Sequence, residues 1–250
     1  MSTDSPILPT TEKAAAVPAA PTHLVAPPWH TTVFVLVILL FAALAAHSQA
    51  EMIARHGRLP AYLSTMAWEW LLSAFVLWGT RRRQVSLRQL TGGRWSSPED
   101  VLLDIGIAVA FWITAGAVLA ALSWAFGLAS PEQVAEAKKQ IGVLLPVTRL
   151  EVAVWIPLSA TAGFCEELMF RGYLQKQFTT ATRSTVLGIV LQAAVFGIAH
   201  AYQGALRTVV IGVYGALFGI LAVLRKSIRP GMIGHFLQDS IGGLVYRLIR

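Results

Sequence analysis

Long apolar runs alternate with short polar connectors along most of the chain. The runs cover about residues 31–46, 61–79, 101–128, 148 into a polar motif at 166–171, 184–200, 206–224 and 232–249. At about 1.5 Å per helical residue, some 20 apolar residues cross a bilayer core. The pattern predicts an all-α fold, a polytopic transmembrane helix bundle with about seven or eight helices. Residues 141–147 are the candidate for the eighth, as a separate short element. Glu69 interrupts the second run and Asp104 lies near one end of the third. Ser130 and Pro131 open a polar stretch reaching Gln140. Serine as cap and proline at the first position predict a short surface helix there.

Residues 1–29 break the pattern. They hold six prolines among Ala, Ser and Thr, which predicts a mobile tail. They lack the basic start and apolar centre of a signal peptide. The expected division is a tail over 1–29 and a transmembrane domain over 30–250.

Composition agrees. Charged residues make up 13% of the chain and hydrophobic residues 55%, against about 25% charged in soluble domains. The net charge of +7 sits in short basic segments. Cytoplasmic loops of membrane proteins collect such residues, so membrane lipids are the expected partners and nucleic acid is not. Arg81, Arg82, Arg83, Arg88 and Arg94 form the largest cluster. With seven spans, Lys176 and Arg183 fall on the same side, as do Arg225, Lys226 and Arg229. This predicts a cytoplasmic N-terminus, with Arg247 and Arg250 left on the opposite side. Cys165 is the only cysteine, so no intrachain disulfide and no cysteine zinc site can form.

Against this background Glu166, Glu167 and Arg171 stand out, because charge inside an apolar segment is costly. Glu167 and Arg171 are four apart and share a helical face. Glu166 is rotated by about 100° from Glu167 and points elsewhere. Pro157, upstream, should bend the helix and open space near the carboxylates. A pair of glutamates alone reads equally well as a helix end at the membrane surface. His200, four residues after Phe196, and His235, four before Asp239, shift the balance. Two histidines and three carboxylates over three apolar runs predict a polar cavity between the later helices.

Two chemistries fit such a cavity. A glutamate and a histidine can activate water for peptide hydrolysis while another histidine and a polar residue stabilise the oxyanion. Alternatively, two histidines and a carboxylate hold zinc and a glutamate acts as base. No His-Glu-x-x-His sequence supports the zinc version. A Cys165 thiol nucleophile is weaker still, because the adjacent Glu166 disfavours the thiolate.

The motifs Glu166-Glu167-x-x-x-Arg171, Phe196-x-x-x-His200 and His235-x-x-x-Asp239 resemble those of the CAAX-processing and bacteriocin-processing (CPBP, or Abi) intramembrane endopeptidases, which include the type II CAAX prenyl endopeptidases. The resemblance covers about residues 148–250 and implies a peptidase-like core there. It implies that Glu166 and His200 activate water and that His235 and Asp239 help stabilise the oxyanion. Glu167, Arg171 and Phe196 would support the site or contact substrate. The implied substrate is a membrane-associated peptide or protein, prenylated or otherwise lipidated, and the implied location is the bacterial cytoplasmic membrane. No cofactor is firmly implied. If zinc is bound, His200, His235 and Asp239 are the expected ligands. Asp239 departs from the asparagine of the type II enzymes, since an ionised carboxylate accepts hydrogen bonds but cannot donate them. The competing functions are a non-catalytic membrane binding or bacteriocin-immunity protein, and a small transporter using buried charges as a relay. The sequence leaves the oligomeric state open.

One geometric conflict remains. His200 lies near the end of its predicted helix and His235 near the start of its own. If both helices enter from one side, their depths differ by up to about 15 to 20 Å. They meet only if the fifth run starts outside the hydrocarbon, a helix tilts strongly, or the boundaries move.

Overall fold

Helix starts in this chain are set largely by side-chain caps. Thr148 Oγ1 accepts from the Glu151 amide, and Glu151 Oε2 accepts from the Thr148 amide, a reciprocal box. Ser97, Ser130 and Ser184 each accept from the backbone N–H three residues on. Pro28, Pro98 and Pro131 take early helical positions, where no amide proton is needed.

The computed structural model describes residues 23–249, and its regular elements are all helical. They are α1 (Pro28–His56), α2 (Arg58–Arg81), α3 (Leu87–Thr91), α4 (Pro98–Ala125), α5 (Pro131–Gly142) and α6 (Arg149–Glu166). A π-helical stretch, Glu167–Leu174, joins α6 to α7 (Gln175–Thr182). Then come α8 (Thr185–Ala199), a 3₁₀ turn (Ala201–Gln203), α9 (Ala205–Arg225) and α10 (Arg229–Ile249). Among the described residues, three helical stretches are long and apolar enough to cross a membrane: Pro98–Ala125, Arg149–Thr182 and Ala205–Arg225. Pro28–Leu44 and Thr185–Ala199 are shorter apolar helices. Many large apolar side chains face outward, among them Leu102, Ile113, Trp124, Val186 and Leu248. Such a surface is stable against lipid and not against water. The protein is an integral membrane protein built of several long apolar helices.

The surface helix expected over residues 130–140 is α5. The separate element expected at 141–147 is absent: α5 ends at Gly142 and the chain then runs without helix to Thr148. The expected tail lies mostly outside the described residues, but its last part is docked. Val25 and Ala26 donate their amides to Gln177 Oε1, and Ala26 O accepts from Gln177 Nε2. Those bonds satisfy backbone groups that are buried before α1 begins. The helix continues through Pro157, and its departure from α geometry comes later, at Glu167.

α6 packs between α2 and α10. Gly163 makes the α6–α10 contact possible. A Cβ there would stand 2.8 Å from Met232 O and 3.0 Å from Phe236 N, so only glycine permits this approach. The approach is what lets the side chains three and four residues further on, Glu166 and Glu167, reach His235.

Packing also resolves the depth conflict. Ile228, just before α10, donates its amide to Thr91 O and lies against Gly172. The start of α10 is therefore level with Gly172. Gly188, in the first turn of α8, packs on Gln175 and Thr179. α7 thus carries the start of α8 beyond the start of α10, which gives α8 the extra turns needed to bring His200 level with the site.

The basic connectors meet at one end of the bundle. Lys176 Nζ donates to Gln89 O and Leu90 O, and Ser227 Oγ donates to Thr91 O. Buried Asp104 accepts from Trp95 Nε1 at 2.8 Å and lies 3.3 Å and 3.4 Å from Arg229 and Arg225.

Candidate active site

Glu167 begins the π-helical stretch, and its side chain is 1% exposed. Arg171 Nη1 donates to Glu167 Oε1 at 2.8 Å, and Nη2 donates to Gly215 O at 3.0 Å. The guanidinium also stacks over Phe196 at 4.4 Å and Phe218 at 4.9 Å. Gly215 keeps this corner open, since a Cβ there would meet Phe196 at 2.9 Å. A desolvated ion pair needs such additional hydrogen bonds and ring contacts to hold both charges.

The same Glu167 oxygen lies 3.2 Å from His235 Nδ1. A carboxylate accepts, so Nδ1 carries a proton, and Nε2 is turned toward two further carboxylates. Nε2 lies 3.7 Å from Glu166 Oε2 and 3.8 Å from Asp239 Oδ2. Glu166 therefore faces away from the Arg171 pair, and the two adjacent glutamates serve different surroundings. His200 follows the last residue of α8. Its Nδ1 donates to Phe196 O at 2.9 Å, which leaves Nε2 as an acceptor. The Phe196 ring lies 4.8 Å from the His200 ring and 6.4 Å from that of His235.

Glu166, Phe196, His200, His235 and Asp239 all line one cavity of about 430 Å³. Glu167 and Arg171 stand behind it, through His235 and Phe196. Asp239 is fixed by its backbone, whose carbonyl accepts from Trp155 Nε1 at 2.9 Å. Of the set His200, His235 and Asp239, only His235 and Asp239 approach each other in an ion-pair contact. Among the described residues no group of three or more His, Cys, Asp or Glu side chains is placed to hold a metal ion. The donor set therefore does not fit a preformed three-ligand centre. Cys165 is fully buried and does not line the cavity.

Among the lining residues outside the motifs, Glu69 and Tyr202 bring a carboxyl and a phenol into the cavity. Glu69 comes from α2, on one face with Tyr62 and Thr65. Its position as a lone charge in an apolar run was the available signal. Tyr202 comes from the 3₁₀ turn, where Gln203 Nε2 donates to its hydroxyl. Burial pushes the Tyr202 phenol up to about 12, so it is a hydrogen-bond donor at neutral pH. Nothing in its spacing marks it.

What the arrangement offers is a carboxylate and an imidazole acceptor on one confined space, with a second imidazole held by a buried ion pair. Residues 148–241 match the family model described as Type II CAAX prenyl endopeptidase Rce1-like. No curated protein and no solved structure matches the chain. The C-terminal region thus matches the CPBP, Rce1-like endopeptidase family, which supports a peptidase at the level of family.

Proposed function

We propose that the protein is an intramembrane endopeptidase that hydrolyses a peptide bond of a membrane-associated protein or peptide, lipidated or prenylated substrates included. The observation that carries this reading is the shared cavity. Glu166 at the end of α6, His200 at the end of α8, and His235 and Asp239 on α10 line one space large enough for water and a segment of extended peptide. Glu166 and the Nε2 of His200 act as acceptors for the proton of the attacking water. Attack on the scissile carbonyl develops an oxyanion, which needs donors. The Asp239 carboxylate cannot donate when ionised. The Tyr202 hydroxyl supplies a donor, as does His235 once its Nε2 is protonated. Asp239 then serves to hold that His235 proton in place.

The purified protein, reconstituted in lipid nanodiscs with a panel of membrane-anchored peptides with and without a prenyl group, should release fragments with a new free carboxyl terminus, read by mass spectrometry. An absence of cleavage across the panel counts against the peptidase reading.

The domain and membrane assignments that go with this reading are a peptidase-like core over 148–250 within a membrane domain over 30–250, behind an N-terminal tail, in a bacterial cytoplasmic membrane. Seven spans are formed by α1, α2, α4, α6 with α7, α8, α9 and α10. The connectors carrying Arg81 to Arg94, Arg183 and Arg225 to Arg229 face the cytoplasm, with Lys176 of α7 at the same end. Tyr62, Leu144 and Tyr202 line the cavity toward the other end, so the site opens away from those connectors. The native Cys165 is buried and gives little background for thiol labelling. Leu87→Cys should therefore be shielded from an impermeant maleimide in intact cells, and Glu132→Cys should react. The reverse pattern inverts the orientation.

A further inference from the structure

Glu69 is the one lining carboxylate that the peptidase reading leaves without a task. It sits about three turns into α2, outside the residues matched to the endopeptidase family. It is 7% exposed, and its Oε2 is buried with no hydrogen-bond partner. An ionised carboxylate in this position is costly unless a proton or a cation meets it. The described lining residues include no lysine or arginine, and Arg171 is committed to Glu167 and Gly215. Three carboxylates, Glu69, Glu166 and Asp239, face two imidazoles, His200 and His235. With every one of them charged, three against two still leaves one negative charge. A low-dielectric cavity concentrates that field.

We infer that Glu69 is a specificity-determining residue, and that the cavity takes a substrate with a basic side chain close to the scissile bond, paired with the Glu69 carboxylate. Tyr62 and Thr65 flank Glu69 on the cavity face of α2. The aliphatic stem of a lysine or arginine can lie along that wall while its charged end reaches Glu69. The inference rests on the peptidase reading for the word substrate, and on the geometry alone for the preference.

The test compares arginine with the near-isosteric, uncharged citrulline at each position flanking the scissile bond of a membrane-anchored peptide. Wild-type protein in nanodiscs should favour arginine at one position by about tenfold or more in kcat/KM, the scale of one desolvated charge pair. Glu69→Gln should bring that ratio to about one, and Glu69→Asp should keep part of it. A wild type with no preference at any position, or a Glu69→Gln variant that keeps the ratio while losing overall rate, overturns the inference. Should the wild type cleave neither peptide, the peptidase reading fails and equilibrium binding of the same pair decides. Arginine-selective binding lost in Glu69→Gln sustains the inference, and equal or absent binding overturns it.

Discussion

Glu166→Gln should lower kcat by about 10²- to 10⁴-fold, the range for losing a positioned general base. Glutamine keeps the size and the polar outline of the side chain but has no basic carboxylate to take a proton. The fold should survive the change. Glu166 Oε2 has no hydrogen-bond partner, and its approach to His235 Nε2 is 3.7 Å, too long for one. Its side chain is 16% exposed, and an uncharged amide costs less to bury there than a carboxylate. The measurement is single-turnover cleavage in nanodiscs beside a thermal unfolding scan. A variant within threefold of wild-type rate removes Glu166 from the chemical step. A variant that is slow and also unfolds early would show a structural role instead.

Arg171→Met should behave in the opposite way, failing first in stability. Its side chain is 0% exposed, and it closes a buried pair with Glu167 while filling the space between Phe196 and Phe218. Methionine conserves much of the volume and none of the charge. Glu167 is then left as a buried carboxylate whose remaining hydrogen bond is to His235. Breaking a buried pair from one side costs about 3–5 kcal/mol. Combining Arg171→Met with Glu167→Gln removes both charges and should recover a good part of that loss, since the surviving partner no longer carries an unpaired charge. A denaturant titration of the wild type, both single variants and the double variant measures the coupling. Additive losses would show that the two side chains contribute independently. Activity should not return in the double variant, because His235 loses the carboxylate that holds its Nδ1 proton.

These two results would separate adjacent residues in the chain, and the separation was partly legible beforehand. Successive helical positions point about 100° apart, so Glu166 and Glu167 had to face different surroundings. Which one faced water was not readable. That depends on α10 lying against Gly163 and on the switch to π-helical bonding at Glu167, and no local propensity announces either. Glu69 shows the same limit. Its charge in an apolar run was visible, but its address in the cavity comes from α2 packing on α6. Tyr202 carried no signal, because a tyrosine in a short turn is ordinary until the turn is seen to close a cavity.

The helical runs, the cap of α5 and the three polar motifs were determined by the sequence itself. Lipid tolerates only long, internally hydrogen-bonded apolar segments, so their lengths and interruptions are written in order along the chain. The tertiary structure decided the rest. It placed the start of α8 beyond the start of α10, docked Val25 and Ala26 on Gln177, left residues 143–147 without helix, and turned three separated motifs and Glu69 toward one space. Those outcomes depend on which helix faces meet and at what level. Close approaches at residues such as Gly163 and Gly215 fix that, and they are properties of pairs of segments rather than of any one segment.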